Sequence, residues 1–353
     1  MRYSIIFAIC LFACSSSGWA IVKINGYTPT ISNADYLQYV RYLTVPIGSQ
    51  NGATWNAGNN TTGLTDAQIQ SIVTAIMGLE APLNQEIYNK MQASTTETFS
   101  FTNVNQAETV VQHRIQAIAM MNLFNSGRQF LYVNQGPPGQ DYASFVSDWQ
   151  TGARVKFYFR QIGGAPDQAI TQICSPPTGT SPNVYGDCLG AIETCIWWGA
   201  DQAYGATVFN AEFGSSPLDM DFLHGSPPTA NHHLANAVDT STIIPGDWVY
   251  FKNDNYGPVI EDPYIVTSGL LKGAVLAWRG ENAFYLGGGT YGGLGASGTA
   301  ASVRNEEMNA YNTDLAPVRA KYGDTYNGMN ISAMTSGDVT ARVQIVNIQR
   351  IVP

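Results

Sequence analysis

The chain has 353 residues, of which 44% are hydrophobic and only 12% charged, with a formal net charge of −9. That composition supports a globular core under a mostly uncharged polar surface. Seventeen Lys and Arg without a local basic cluster exclude a phosphate-binding face, so nucleic acid is not an expected partner.

The first twenty residues read as a secretory leader. Arg2 supplies a short positive start, residues 5–14 an apolar stretch too short to span a bilayer comfortably, and Gly18-Trp19-Ala20 the small residues that a signal peptidase requires. The remaining chain is then expected outside the cell, in the periplasm or at the cell surface. An acylated Cys14 is the alternative, although Phe12 fits a lipoprotein signal poorly. No later segment is long and apolar enough to cross a membrane as a helix.

Residues 21–150 read as a mainly helical region. Loops rich in Gly, Asn, Ser and Thr fill 25–60, where Asn60 opens a glycosylation sequon; Asn330 opens another. Thr65-Asp66 caps a helix carrying Ile69, Ile72, Val73, Ile76 and Leu79 at helical spacing, which Pro82 interrupts or kinks before Leu83, Ile87 and Met91. A second helix runs from about Gln106 with Val110, Val111, Ile115, Ile118, Ala119 and Leu123 on one broad stripe, until Ser126-Gly127 stops it. A short third helix is expected near 145–149. This region is expected to pack on, cover or restrain the second half of the chain.

From 151 the pattern changes, and 151–353 is expected to form the catalytic domain. A strand is expected at 155–159, a loop at 175–186 and a buried helix at 189–198. Further strands are expected at 248–252 and 283–286, with Gly-rich turns and short strands at 287–298, and a closing strand carries Val343, Ile345 and Ile348. A helix followed by an antiparallel run of strands is an α+β pattern.

Without the leader, Cys174, Cys188 and Cys195 remain, an odd number for an oxidising compartment. One arrangement bonds Cys174 to Cys195 and leaves Cys188 free; three reduced thiols are equally open. Cys188 is the best nucleophile, because it opens an apolar helix whose unpaired N–H groups and dipole favour a thiolate and can receive an oxyanion. Asp187 opposes a low thiol pKa if ionised, unless it serves in proton transfer. Apart from the adjacent His232-His233, no Cys or His spacing suits zinc, and neither a metal nor an organic cofactor is expected.

Tyr185-Gly186-Asp187-Cys188, Ile244-Pro245-Gly246-Asp247-Trp248-Val249-Tyr250-Phe251-Lys252-Asn253, Trp278-Arg279-Gly280-Glu281-Asn282, Tyr285-Leu286-Gly287 and Tyr291-Gly292 come one after another in this order. Over residues 184–297 the chain thereby resembles the bacterial spore-coat type of transglutaminase. The resemblance implies an NlpC/P60-like, papain-like core: a helix bearing the nucleophile, packed on an antiparallel sheet. It makes Cys188 the nucleophile and Glu281 its carboxylate partner, with Asp187 as an auxiliary acid. Gly293 stands where the family has a histidine, so any help from that residue is absent or comes from elsewhere.

The implied reaction joins protein glutamine to lysine side chains or other primary amines through a Cys188 thioester. Trp248, Tyr250, Trp278 and Asn282 are expected to bind substrate, the aromatic residues limiting water. Burial should raise Glu281 towards the working pH. His113 is expected on a polar helix face, whereas one of His224, His232 and His233 is a candidate to replace the missing histidine. The G-x-G-x-x-G runs at 287–298 lack a βαβ setting and read as turns. Two competing readings are a secreted amidase or deamidase using the same Cys/Glu pair, and a catalytically degenerate binding or coat protein.

Overall fold

The computed structural model describes residues 82–94, 96–101, 104–125, 159–174, 184–214, 218, 233–271, 280–294 and 296–353, with short strand segments at 23–24, 130–132 and 149–151. The expected leader, the helix at 65–79 and residues 155–158 lie outside them.

Four helices and one sheet position the site. Helix α1 is Pro82–Ala93, α2 Val104–Asn125, α3 Cys188–Tyr204 and α4 Ala300–Asp314. The strands are β1 Leu234–Asn236, β2 Trp248–Asn253, β3 Gly280–Gly287, β4 Thr290–Gly293, β5 Ser297–Thr299 and β6 Val343–Ile351. They form one antiparallel sheet in the order β5-β4-β3-β2-β6-β1. The α+β reading stands.

Alternation along the strands divides two cores. Trp248 and Phe284, an opposed pair on β2 and β3, face the core built by α1, α2 and α3. Their neighbours Val249, Phe251 and Ala283 face the other core, with Val303 and Tyr311 of α4. Helices α1 and α2 of the N-terminal region therefore share one core with the helix that opens at Cys188.

Helix α1 begins at Pro82, in keeping with the interruption expected there, since a missing N–H costs no bond and a fixed φ suits the first turn. Several local expectations change. Trp149 belongs to the strand Trp149–Thr151, which pairs with Phe159–Gln161; a helix does not include it. His113 is fully buried, because α2 packs along α3 and the ring meets the Ile196 carbonyl of that helix. Val184–Gly186, expected as loop, pairs in parallel with Phe130–Tyr132 and leads the chain into Cys188. Helix α4 escapes an apolar-periodicity reading because its buried positions are Val303, Glu307 and Tyr311, a narrow stripe containing an acid.

Distant parts of the chain meet at Asp247. Its carboxylate accepts from Arg114 of α2 at 2.8 Å, from Arg350 of β6 through Nε and Nη2 at 3.0 and 2.9 Å, and from the Ile244 amide at 2.9 Å. Arg114 also donates to the carbonyls of Pro245 and Ile351, at 3.0 and 2.6 Å. Arg350 also reaches Glu97 and the Thr242 carbonyl. Gly246 has φ +86°, and a Cβ there would lie 2.7 Å from the Arg114 Cβ, so the Pro-Gly-Asp turn requires its glycine twice over.

Asp247→Ala leaves two guanidinium groups buried without their shared anion. A loss of roughly 3–5 kcal/mol is expected, read as a lower midpoint in urea unfolding with unchanged m.

Candidate active site

Cys188 is the first residue of α3 and is buried at 6% exposure. Asp187 holds the N-cap position in extended geometry and accepts from the Gly190 amide at 2.8 Å. The acid before the cysteine thus satisfies one of the helix's open N–H groups. Facing the thiol is β3. Asn282 donates its Nδ2 to Cys188 Sγ at 3.3 Å, and Trp248 Nε1 donates to Asn282 Oδ1 at 2.9 Å. The indole fixes the amide's orientation, so that a donor and not an acceptor meets the sulfur.

Glu281 precedes Asn282 and is buried at 1% exposure. Its register opposite Phe251 places it on the α4 side of the sheet. From there its carboxyl reaches the Cys188 thiol, whose hydrogen bond lowers it slightly against stronger opposing effects. Burial first, then the charges of Glu307, Asp187 and Glu306, hold this carboxyl well above the usual carboxylate range. Oε1 of Glu281 has no hydrogen-bond partner among the described residues.

The thiolate expected at a helix N-terminus is not the resting form. Burial, then the charges of Glu281 and Asp187, push the Cys188 thiol well above its ordinary range; the Asn282 bonds act the other way. Desolvation and two nearby acids act against the thiolate that a helix N-terminus favours. The resting pair is therefore a protonated thiol beside a carboxyl that holds protons readily.

Gly293 explains the histidine's absence in steric terms. A Cβ at this position would lie 2.1 Å from Glu281 Oε1 and 2.4 Å from the Asn282 carbonyl. A histidine here would require Glu281 to point elsewhere. No histidine among the described residues substitutes for it. His113 binds the Ile196 carbonyl at 2.8 Å, and burial lowers its pKa to about 3. His233 stacks on Tyr204 and pairs with Glu212. Tyr204 closes α3, about 24 Å along the helix from Cys188 at 1.5 Å per residue. His224 and His232 lie outside the described residues, as does Trp278.

The model of the protein-glutamine gamma-glutamyltransferase family, TGL, matches residues 66–336. The chain belongs to that family. This transglutaminase is accordingly an acyltransferase whose substrates are protein glutamine and amine groups. No curated protein matches the chain. One similar solved structure is the transglutaminase from Geobacillus stearothermophilus (without C-terminal extension), at 21% identity, covering 59% of this chain and 86% of that one with a TM-score of 0.42.

Cys174 and Cys195 of this transglutaminase are buried free thiols, both raised by desolvation, so the bonded arrangement is absent. Among the described residues no group of His, Cys, Asp and Glu is arranged to hold a metal ion, and no helix is long and apolar enough to cross a membrane. Tyr250 stands opposite Asn282 on β2 and is half-buried. Asn253 closes the motif that opens at Ile244 but has no expected role, and Glu307 is not among the expected site residues; its sequence signal is an acid at the centre of the Val303-Tyr311 spacing.

Gly293→Ala should displace the Glu281 carboxyl and lower kcat/KM for amine incorporation by about 100-fold, the scale of an ångström-sized misplacement, with folding retained by circular dichroism. Asn282→Ala removes the donor that lowers the thiol pKa, so Cys188 alkylation at a given pH should slow, whereas Glu281→Gln should speed it at alkaline pH. Mass-resolved iodoacetamide labelling between pH 7 and about 10 checks both signs.

Proposed function

We propose that Cys188 is the nucleophile of the glutamyl transfer and that Glu281 carries its proton. The observation that supports this reading is the placement of the thiol between the Asn282 amide donor and the Glu281 carboxyl, in one buried site. The sulfur attacks the γ-carboxamide of a glutamine, its proton passing to ionised Glu281. Glu281 then hands that proton to the departing nitrogen, so that ammonia leaves and a thioester remains. An incoming amine gives up a proton to Glu281 as the isopeptide bond forms, and the proton returns to the sulfur.

Asn282, held by Trp248, stabilises negative charge on sulfur as it develops. Asp187 takes the Gly190 N–H and leaves the first N–H groups of α3 to face the oxyanion. Its role in this scheme is to cap and to tune charge. Trp248 and Tyr250 offer an aromatic surface for the glutamine stem, and their apolarity favours an amine over water; Trp278 is kept as a substrate-binding residue on the resemblance alone.

The arrangement of α3 against the antiparallel sheet supports an NlpC/P60-like core. The leader-like first twenty residues support export, so glutamine and lysine side chains of extracellular or envelope proteins are the proposed donors and acceptors.

Purified protein, with Cys188→Ala alongside, is incubated with a glutamine-rich protein and a fluorescent primary amine while ammonia is followed. Amine incorporation that disappears in Cys188→Ala, and falls at least about 100-fold in Glu281→Gln, is the expected result. Cys188-dependent ammonia without incorporation would redirect the reading to a deamidase. Activity retained by Cys188→Ala would remove the nucleophile assignment.

A further inference from the structure

A second acid stands behind the first. Glu307 of α4 is completely buried. Asn253 of β2 holds it by donating Nδ2 to Glu307 Oε2 at 2.8 Å and to its main-chain carbonyl at 3.1 Å. Asn253 lies two residues beyond Phe251 on β2, and Phe251 stands opposite Glu281. All three side chains therefore project from the same face of the sheet, the face covered by α4. Glu281 Oε1 and Glu307 Oε1 both lack a hydrogen-bond partner among the described residues.

The surroundings supply little positive charge. From α4 itself come Glu306 and Arg304, the latter donating to the Val343 carbonyl at 3.0 Å and lying over the Phe251 ring. From the Tyr256–Ile260 helix comes the Tyr256 hydroxyl, bonded to Asp314. From the start of α3 come Asp187 and Cys188, on the Glu281 side. Two carboxyls sharing a dry site cannot readily both ionise. If Glu307 served only to hold Asn253, a glutamine would make the same bond without the cost of a buried acid.

We propose that Glu307 is a positioning residue for the transfer reaction: held by Asn253 behind Glu281, it keeps a proton within the carboxyl pair and so sets the pH range in which Glu281 exchanges one with Cys188. This rests on Cys188 and Glu281 being the nucleophile and its proton carrier. Consistent with it, Glu307 is second only to burial in raising Glu281, and burial raises Glu307 itself.

The test is Glu307→Gln, which keeps an acceptor for Asn253 and removes only the acid. The pH profile of kcat/KM for amine incorporation is measured for this variant, the parent protein, Glu281→Gln and Cys188→Ala. The limb that Glu281→Gln abolishes should move to lower pH by about one unit in Glu307→Gln. Removing a neighbouring negative charge makes Glu281 ionise more readily, so the direction is the same whichever form the reaction needs. The thermal midpoint should stay level or rise at alkaline pH: a carboxyl raised by folding stabilises at low pH and loses that contribution as pH rises through its folded pKa.

An unmoved limb, even with a lower rate, would overturn the inference while Cys188→Ala remains inactive. Should Glu307→Gln fail to fold, infrared titration of protonated carboxyls compares the parent with Glu281→Gln. The remaining acid should then lose its proton at lower pH than in the parent, and an unchanged titration overturns the inference. Activity surviving in Cys188→Ala would instead defeat the assignment of the nucleophile itself.

Discussion

Asp247 lies between Arg114 of α2 and Arg350 of β6, one anion shared by two cations, and all three side chains are removed from water. Such a cluster contributes little net stability against its own desolvation, but losing any member strands a charge. Its consequence is positional. Trp248 comes directly after Asp247, and the same Trp248 orients Asn282 against the cysteine. The Pro-Gly-Asp turn thus transmits the packing of α2 and the final strand to the site, within one residue.

The sheet then works as a partition. On one face α3 presents Cys188, and Asn282 and Trp248 meet it from β3 and β2. On the other, α4 buries Glu307, and Glu281 starts from that side before reaching the thiol. Acids collected in a dry region release a proton less readily than in water, and so does the sulfur, for the same reason. A site of this kind has no resting ion pair. Its reactivity comes from relocating a proton inside a low-dielectric pocket when substrate binds, where each hydrogen bond to a developing charge is worth more than in water.

Much of this was legible in the chain. Val110, Val111 and Ile118 mark α2 because burial on a broad stripe leaves a 3.6-residue period. Strands at 248–252 and 283–286 stand out through Trp248, Val249, Tyr250, Phe251, Phe284 and Tyr285, and the structure extends the second back to Gly280. Cys188 and Glu281 were named through linked motifs in order. His113 was misplaced, since a lone histidine between apolar residues carries no sign of which face meets water. Helix α4 was invisible as an apolar pattern because its central buried residue is Glu307, which pattern reading assigns to solvent.

Residue type and spacing are local properties, and they alone name the chemistry-bearing groups and the class of fold. The motifs around Cys188 and Glu281 are therefore readable without coordinates. The state of those groups belongs to the assembled molecule. Whether Cys188 rests as thiol or thiolate depends on total burial and on acids from strands and helices distant in sequence. The helix N-terminus is a local cue; desolvation and the charges of Glu281 and Asp187 are collective ones, and they raise the thiol. Likewise Gly293 reads in sequence as a lost histidine, whereas in space it provides the room that the Glu281 carboxyl occupies.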